Sequence, residues 1–440
     1  MSDIKKEDKV ENKEVEVKEE KVAAVEEVVE QKEEAKEEVA AVEVAEQKEE
    51  VKEDVAAVEV AEQKEEVKED VAAVGKEEVV NAEEDSDEIK YPNYISKKRI
   101  GVEPPEFLVD KLTGKPVFGT FTKEISNINL LDCKGLYPFG RLFNKARYTH
   151  WEALELHFDE CAIVSAVYNM GIIGFAIVVL FDKRDKSIKH WIQFVPGGKA
   201  KVAPNLIDTV TSQDSKKLKY HLHNMFHEGY ATAQITGNSK KFGDIEIDVK
   251  ITNVAKPSVV NIPFEGGKSL YSQKNLFKAE GKIVLNGETF EANENSVAII
   301  DDHKGFYPFE AHYDWLTTMG TTEIDGKKQV IGFNLTKNQS ISQYDYNENW
   351  LWLEGEGFSL PPVEFRKVTK SKWEIKDALG KVDLIFELDN TYKMKFNIGL
   401  IYIKYYLPFG TLKGTITNYD GKVYNFDGML GIAEDKTTKI

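Results

Sequence analysis

From residue 117 onward, apolar and polar side chains alternate with a period of two. Ile245, Ile247, Val249 and Ile251 alternate with Glu246, Asp248 and Lys250, and Tyr392, Met394, Phe396 and Ile398 alternate with Lys393, Lys395 and Asn397. That period belongs to strands with one face on a core and the other in water. Asn286-Gly287, Asp325-Gly326 and Asp420-Gly421 stand between such runs and tolerate positive backbone angles, so they predict hairpins. Helical patterns are scarce after residue 90. The expected fold is all-β, with antiparallel sheets closed into barrels or sandwiches.

Two stretches break the alternation. Residues 161–181 are almost wholly apolar over about the length that spans a bilayer. Asn169 and Gly171 in the middle, and the abundance of Ile and Val, favour two buried strands meeting near Asn169-Met170-Gly171 over a membrane helix. Strands apolar on both faces either lie under other elements or line an apolar cavity. At the other end of the chain, residues 39–54 recur unchanged as residues 55–70. The period of 16 is no multiple of 7 or 11, so its valines drift around a helix and make no lasting coiled-coil seam. A weakly helical or disordered charged arm is expected over residues 1–90. Residues 91–116 hold Pro92, Pro104, Pro105 and Pro116 and read as an extended lead-in across the fold.

An internal repeat bears on the domain count. Asp132-Cys133-Lys134-Gly135-Leu136-Tyr137-Pro138-Phe139 returns as Asp302-His303-Lys304-Gly305-Phe306-Tyr307-Pro308-Phe309, identical at six of eight positions. Two similar β-domains are therefore expected, over residues 91–257 and 258–440, joined near Lys256-Pro257-Ser258. In both copies Gly and Pro flank an aromatic pair, which suits a strand ending in a bend with its rings turned inward.

Charge separates the tail from the body. Residues 1–90 carry 34 acidic and 14 basic side chains, a net charge of −20, against −18 for all 440 residues, so residues 91–440 sum to +2. Neither part suits nucleic acid, because the tail repels phosphate and the body has no basic run with stacking aromatics. The charged start has no apolar stretch behind it and does not read as a secretory signal. Cys133 and Cys161 are the two cysteines. Set among apolar residues, they read as reduced core residues in a cytoplasmic protein.

Candidate chemistry gathers in residues 301–315, where four carboxylates, two imidazoles and several aromatics lie within one segment. Ionisable groups that dense among rings point to perturbed pKa values. The segment includes Asp302, His303, Tyr307, His312, Tyr313, Asp314 and Trp315. Comparison with the first copy of the repeat marks Lys304 to Phe309 as architectural and narrows the special chemistry to His303, His312, Asp314 and Trp315, with Asp302 shared. A second cluster, His221, His223, His227 and Glu228, has no single regular spacing that gathers all its imidazoles, so a metal site is not expected there. No P-loop, GxSxG or GxGxxG stands in the body, and no cofactor is implied.

The second half resembles a family catalogued as a domain of unknown function, DUF2804. The resemblance rests on Asp302-His303 with Lys304-Gly305-Phe306-Tyr307-Pro308 behind it, Tyr313-Asp314-Trp315, and Ile331-Gly332-Phe333-Asn334-Leu335-Thr336. It continues in Glu348-Asn349, Leu351 to Gly355, Leu360 to Phe365 and Gly428 to Glu434. More distantly, such chains are similar to tandem lipocalin-like proteins that include carotenoid 1,2-hydratases. The resemblance implies two calycin-type antiparallel β-barrels in tandem, and the Asp-His pair is similar to that group's motif, with Lys304 where an aromatic is more usual.

Hydration or isomerisation of an alkene needs a carboxylic acid kept protonated in a dry, ring-lined site. Asp302 or Asp314 would be that acid, His303 would orient it or handle water, and Tyr307, Tyr313 and Trp315 would form the walls. His312 joins them as a ligand contact, and Asn334 with Glu348 would be a polar anchor inside the second barrel. The plainer reading has Asp302 and His303 satisfying backbone groups at a bend. The leading expectation is binding of an apolar small molecule or lipid in a lipocalin-like cavity, between or within the barrels. Acid-base catalysis on such a ligand is the alternative, and recruitment of a protein partner by the acidic tail a third.

Overall fold

The computed structural model describes residues 98–138, 140–398 and 401–439. The acidic repeats of residues 1–90 lie outside the described residues. Within the described residues the chain forms two curled antiparallel half-barrel sheets, the all-β architecture expected from the alternation. The apolar run resolves into strands Cys161–Asn169 and Ile173–Asp182, paired as neighbours and turning at Met170 to Ile172. The hairpin pairs behave as their chemistry predicts: Asn286 and Gly287 take φ of 52° and 87°, and Asp325 and Gly326 take 54° and 73°. Both cysteines are free and buried. Among the described residues no helix is long and apolar enough to cross a membrane.

The first sheet runs Ile188–Pro196, Ile173–Asp182, Cys161–Asn169, Thr149–His157, Val297–Gly305, Lys268–Leu285, Gly243–Asn253, Tyr230–Ser239, Leu218–Met225, Ile207–Asp214. Its two edges come back together, where Gln213 Nε2 donates to the Gln193 carbonyl at 2.9 Å. Two strands in the middle of this sheet come from beyond residue 257. The change of sheet therefore falls between Gly305 and Glu310, and the joint expected near Lys256-Pro257-Ser258 does not coincide with it. Turn residues there mark a loop within the first sheet, which pattern alone does not distinguish from a domain joint. The second sheet runs Glu356–Ser359, Trp350–Leu353, Lys327–Lys337, Glu310–Ile324, Leu430–Lys439, Ile401–Thr417, Val382–Ile398, Lys372–Lys376, Glu364–Thr369.

The repeated octapeptide is not repeated structure. Asp132 ends a short 3-10 turn, Leu130–Asp132, outside the strands, whereas Asp302 lies inside the strand Val297–Gly305. The two copies meet: the rings of Tyr137 and Phe306 are 6.1 Å apart edge to face, and Cys133 joins them in one buried cluster with Tyr271 and Val259. Tyr137 and Phe306 thus meet from the two copies in one apolar cluster.

Both barrel interiors are filled. Leu154, Ile163, Val178, Tyr220, Ile247 and Phe277 belong to the first core, and Leu316, Phe333, Leu351, Phe386 and Leu412 to the second. Outer faces of the two sheets then pack on one another. Phe181 stacks on Phe409 at 4.9 Å and Phe194 on Phe396 at 5.6 Å, while Leu276, Ile299, Met319 and Trp352 form a further apolar cluster. Between these contacts the faces separate.

Candidate functional site

The space left between the barrels is a cavity of about 980 Å³, counted with its mouth. Strand parity decides what faces it. On Thr149–His157, Trp151, Ala153 and Glu155 line the cavity, while Leu154 and Leu156 point into the first core. Val164, Ala166 and Tyr168 line it from Cys161–Asn169, and Phe175, Ile177 and Val179 from Ile173–Asp182. This is why those two strands are apolar on both faces: one side fills a barrel, the other walls a cavity. The second barrel contributes Tyr313 and Trp315, Met394, Tyr405, Glu434 and Lys436.

Parity also separates the Asp-His pair. His303 faces the cavity, stacked on Trp151 at 4.6 Å, and so does Asp301. Asp302 points the other way, into the first barrel, where it is ion-paired with Lys304 and faces Glu152. Burial raises the Asp302 pKa against the pull of Lys304. Glu152 is pushed up to about 8 by burial and by Asp302. The carboxylate expected to act with His303 is thus behind the sheet, and Asp301, two residues before His303, stands in its place.

The cavity wall holds an ion cluster. Lys274 Nζ lies 2.5 Å from Asp301 and 3.3 Å from Glu348. His303 Nε2 lies 3.0 Å from Asp301, 3.2 Å from Glu348 and 2.7 Å from Lys274 Nζ. Ser272 donates to Glu348 at 2.8 Å. Burial favours a neutral imidazole, but two carboxylates against one ammonium raise the His303 pKa. Burial likewise opposes the charges of Asp301 and Glu348, yet His303 and Lys274 outweigh it and lower both. The group is internally neutralised.

The other polar set is different in kind. Glu434 accepts hydrogen bonds from Tyr313 at 2.8 Å and Tyr405 at 2.5 Å, and burial still raises its pKa. Burial, with Asp301 nearby, raises Glu155 well above the usual carboxylate range. Lys436 is lowered to about 8 by burial, with Glu434 pulling the other way. Its ammonium lies over the rings of Tyr168 at 4.3 Å, Trp151 at 4.9 Å, Tyr313 at 5.6 Å and Tyr405 at 5.8 Å.

Other sequence candidates fall into place around these sets. Tyr307 lines the cavity, with its hydroxyl 3.5 Å from His303 Nδ1. Asn334 is on the outer face of the second sheet rather than inside the barrel. It accepts from Trp315 Nε1 at 2.6 Å and donates to the Glu348 carbonyl at 2.9 Å, so it holds two lining residues in position. His312 and Asp314 do not reach the cavity. With Asp435 they bring donor atoms within 4.8 Å of one another, but Lys367 Nζ already stands 2.8 Å from Asp314 and 2.6 Å from Asp435. His221, His223 and His227 each pair with a separate carboxylate, Asp214, Asp208 and Glu228.

Sequence reasoning missed Glu155, Lys274, Asp301, Glu434 and Lys436. For Asp301 a signal existed, since residues two apart share a strand face. The others come from distant strands and are joined only by packing. Chemically, the cavity offers apolar walls, a balanced ion cluster, carboxyl groups whose pKa burial raises and a caged amine.

Among solved structures, the chain is similar to kievitone hydratase from Nectria haematococca, at 10% identity and a TM-score of 0.39, covering 67% of this chain and 90% of that one. It is also similar to CghA, at 11% and 0.41, covering 76% and 97%, and to a putative ATTH from Nitrosomonas europaea, at 12% and 0.33, covering 69% and 97%. Likeness at this level says nothing about what this chain binds. No curated protein matches it in sequence. The family described as Domain of unknown function (DUF2804) matches residues 101–440, and the chain belongs to that family.

Proposed function

We propose that the cavity between the barrels binds a predominantly apolar small molecule. The observation that carries this reading is the wall itself: Val164, Ala166, Phe175, Ile177 and Val179 turn apolar side chains toward the same space as Met394 and Trp315. Removing such surface from water favours a ligand by roughly 25 cal/mol per Å² of apolar area. The test is to incubate the purified protein with a total lipid extract, reisolate it and identify retained compounds by mass spectrometry. A retained apolar compound is expected, and Ala166→Trp, which fills the cavity, should abolish its retention. Recovery of nothing from the wild type would overturn the reading.

Glu434 favours a second reading, in which the bound ligand is also transformed. A carboxyl group whose pKa is raised by burial beside aromatic faces is better equipped than an ordinary carboxylate to protonate an alkene carbon. The C=C electron pair would form the new C–H bond, and positive charge would develop on the neighbouring carbon, facing the rings. Addition of water, with its surplus proton returning to the Glu434 carboxylate, would complete hydration, and loss of an adjacent proton back to Glu434 would complete isomerisation. Glu434→Gln should then bind ligand unchanged and convert none of it. Full turnover by that variant would remove the assignment.

A further inference from the structure

Resting on the cavity-binding reading above, we infer that the ligand carries one carboxylate, which Lys436 and Tyr168 receive. Three lysines are buried among the described residues, two from the first sheet and Lys436 from the second, and they differ in one respect. Lys274, 1% exposed, is paired with Asp301 and Glu348, and Lys304, also 1% exposed, with Asp302. Lys436, 8% exposed and lining the cavity, has no ion pair among the described residues. Its one described hydrogen bond is to the Tyr168 hydroxyl, at 3.2 Å.

An ammonium has three protons to donate, and taking it out of water without a counter-ion is costly. Ring faces attract the cation but accept no ordinary hydrogen bond. The carboxyl group nearest in sequence on the same strand face, Glu434, takes its hydrogen bonds from Tyr313 and Tyr405. The Tyr168 hydroxyl accepts from Lys436 and keeps its own proton to give. An oxygen anion bound here would therefore meet an ammonium and a phenol together.

The ion pairs agree: Lys274 and His303 are matched by Asp301 and Glu348, whereas the Lys436 ammonium faces the same cavity without a paired carboxylate among the described residues. The single charge of a monoanion would match it. The ion cluster is not the receptor, because its cations already hold two carboxylates. The apolar strands Cys161–Asn169 and Ile173–Asp182 would take the rest of an acidic lipid-like molecule.

The probe is cis-parinaric acid, a fluorescent polyene acid, compared with its methyl ester on the full chain. Wild type should bind the acid at least about tenfold more tightly than the ester. Lys436→Met should lose that preference by weakening the acid alone, and Lys436→Arg should keep it. Equal affinity of wild type for acid and ester would overturn the inference while leaving the cavity reading intact. Failure of wild type to bind either would count against both. The wild-type comparison stands even if Lys436→Met does not fold.

Discussion

Asp302 and Glu152 face one another inside the first barrel, and their shared burial makes the protein's stability depend on pH. Glu152 holds its proton to about pH 8 when folded, whereas an unfolded chain releases it near the ordinary glutamate value of 4.5. Between those values the folded state binds more protons, so stability falls as pH rises across that window. Thermal melts from pH 5 to 9 should show the melting temperature dropping, and Glu152→Gln should flatten the slope; parallel slopes would contradict it. Asp302→Asn should behave as a structural lesion. It leaves the buried Lys304 ammonium without its partner, at a cost of about 3 kcal/mol, while ligand retention by the folded fraction stays unchanged. Loss of binding at full stability would place Asp302 in the site after all. The adjacency of Asp302 and His303 was legible in the sequence. Their separation followed from strand geometry, because neighbours on a strand point to opposite faces.

At the level of elements, the strands Cys161–Asn169 and Ile173–Asp182 were identified from their apolarity, together with the choice between burial and cavity lining. They do both. Each odd-even step moves a side chain from the first core to the cavity wall, so a slip of one residue in pairing would exchange the two sets. The loop carrying Glu348 depends on a different element, the lead-in. Arg99 donates to the carbonyl of Asn349 at 2.7 Å, and Ser359 donates to the Arg99 carbonyl at 3.1 Å. Arg99→Ala should therefore lower stability by about 2 kcal/mol, from charged hydrogen bonds to buried carbonyls. Denaturant titration measures this, and an unchanged midpoint would show that the loop holds without the lead-in.

For the whole molecule, the cavity exists because two filled half-barrels meet by their outer faces. Its chemistry is shared: His303, Asp301 and Glu155 come from the first sheet, and Glu434, Lys436 and Tyr405 from the second. Chains split at residue 257 should give no cooperative melt, since the first piece lacks the strands Lys268–Leu285 and Val297–Gly305 from the middle of its sheet. A cooperative melt of residues 98–257 alone would show those strands to be dispensable. By itself, the sequence determined the strand content, the hairpins and the doubly apolar strands. Each of these depends on residues near one another in the chain. The tertiary structure alone decided that the cavity lies between the barrels, which face of each strand it meets, and that Lys274, Glu348, Glu434 and Lys436 converge on it. Sheet packing joins strands far apart in sequence, and no local pattern records which outer faces will meet.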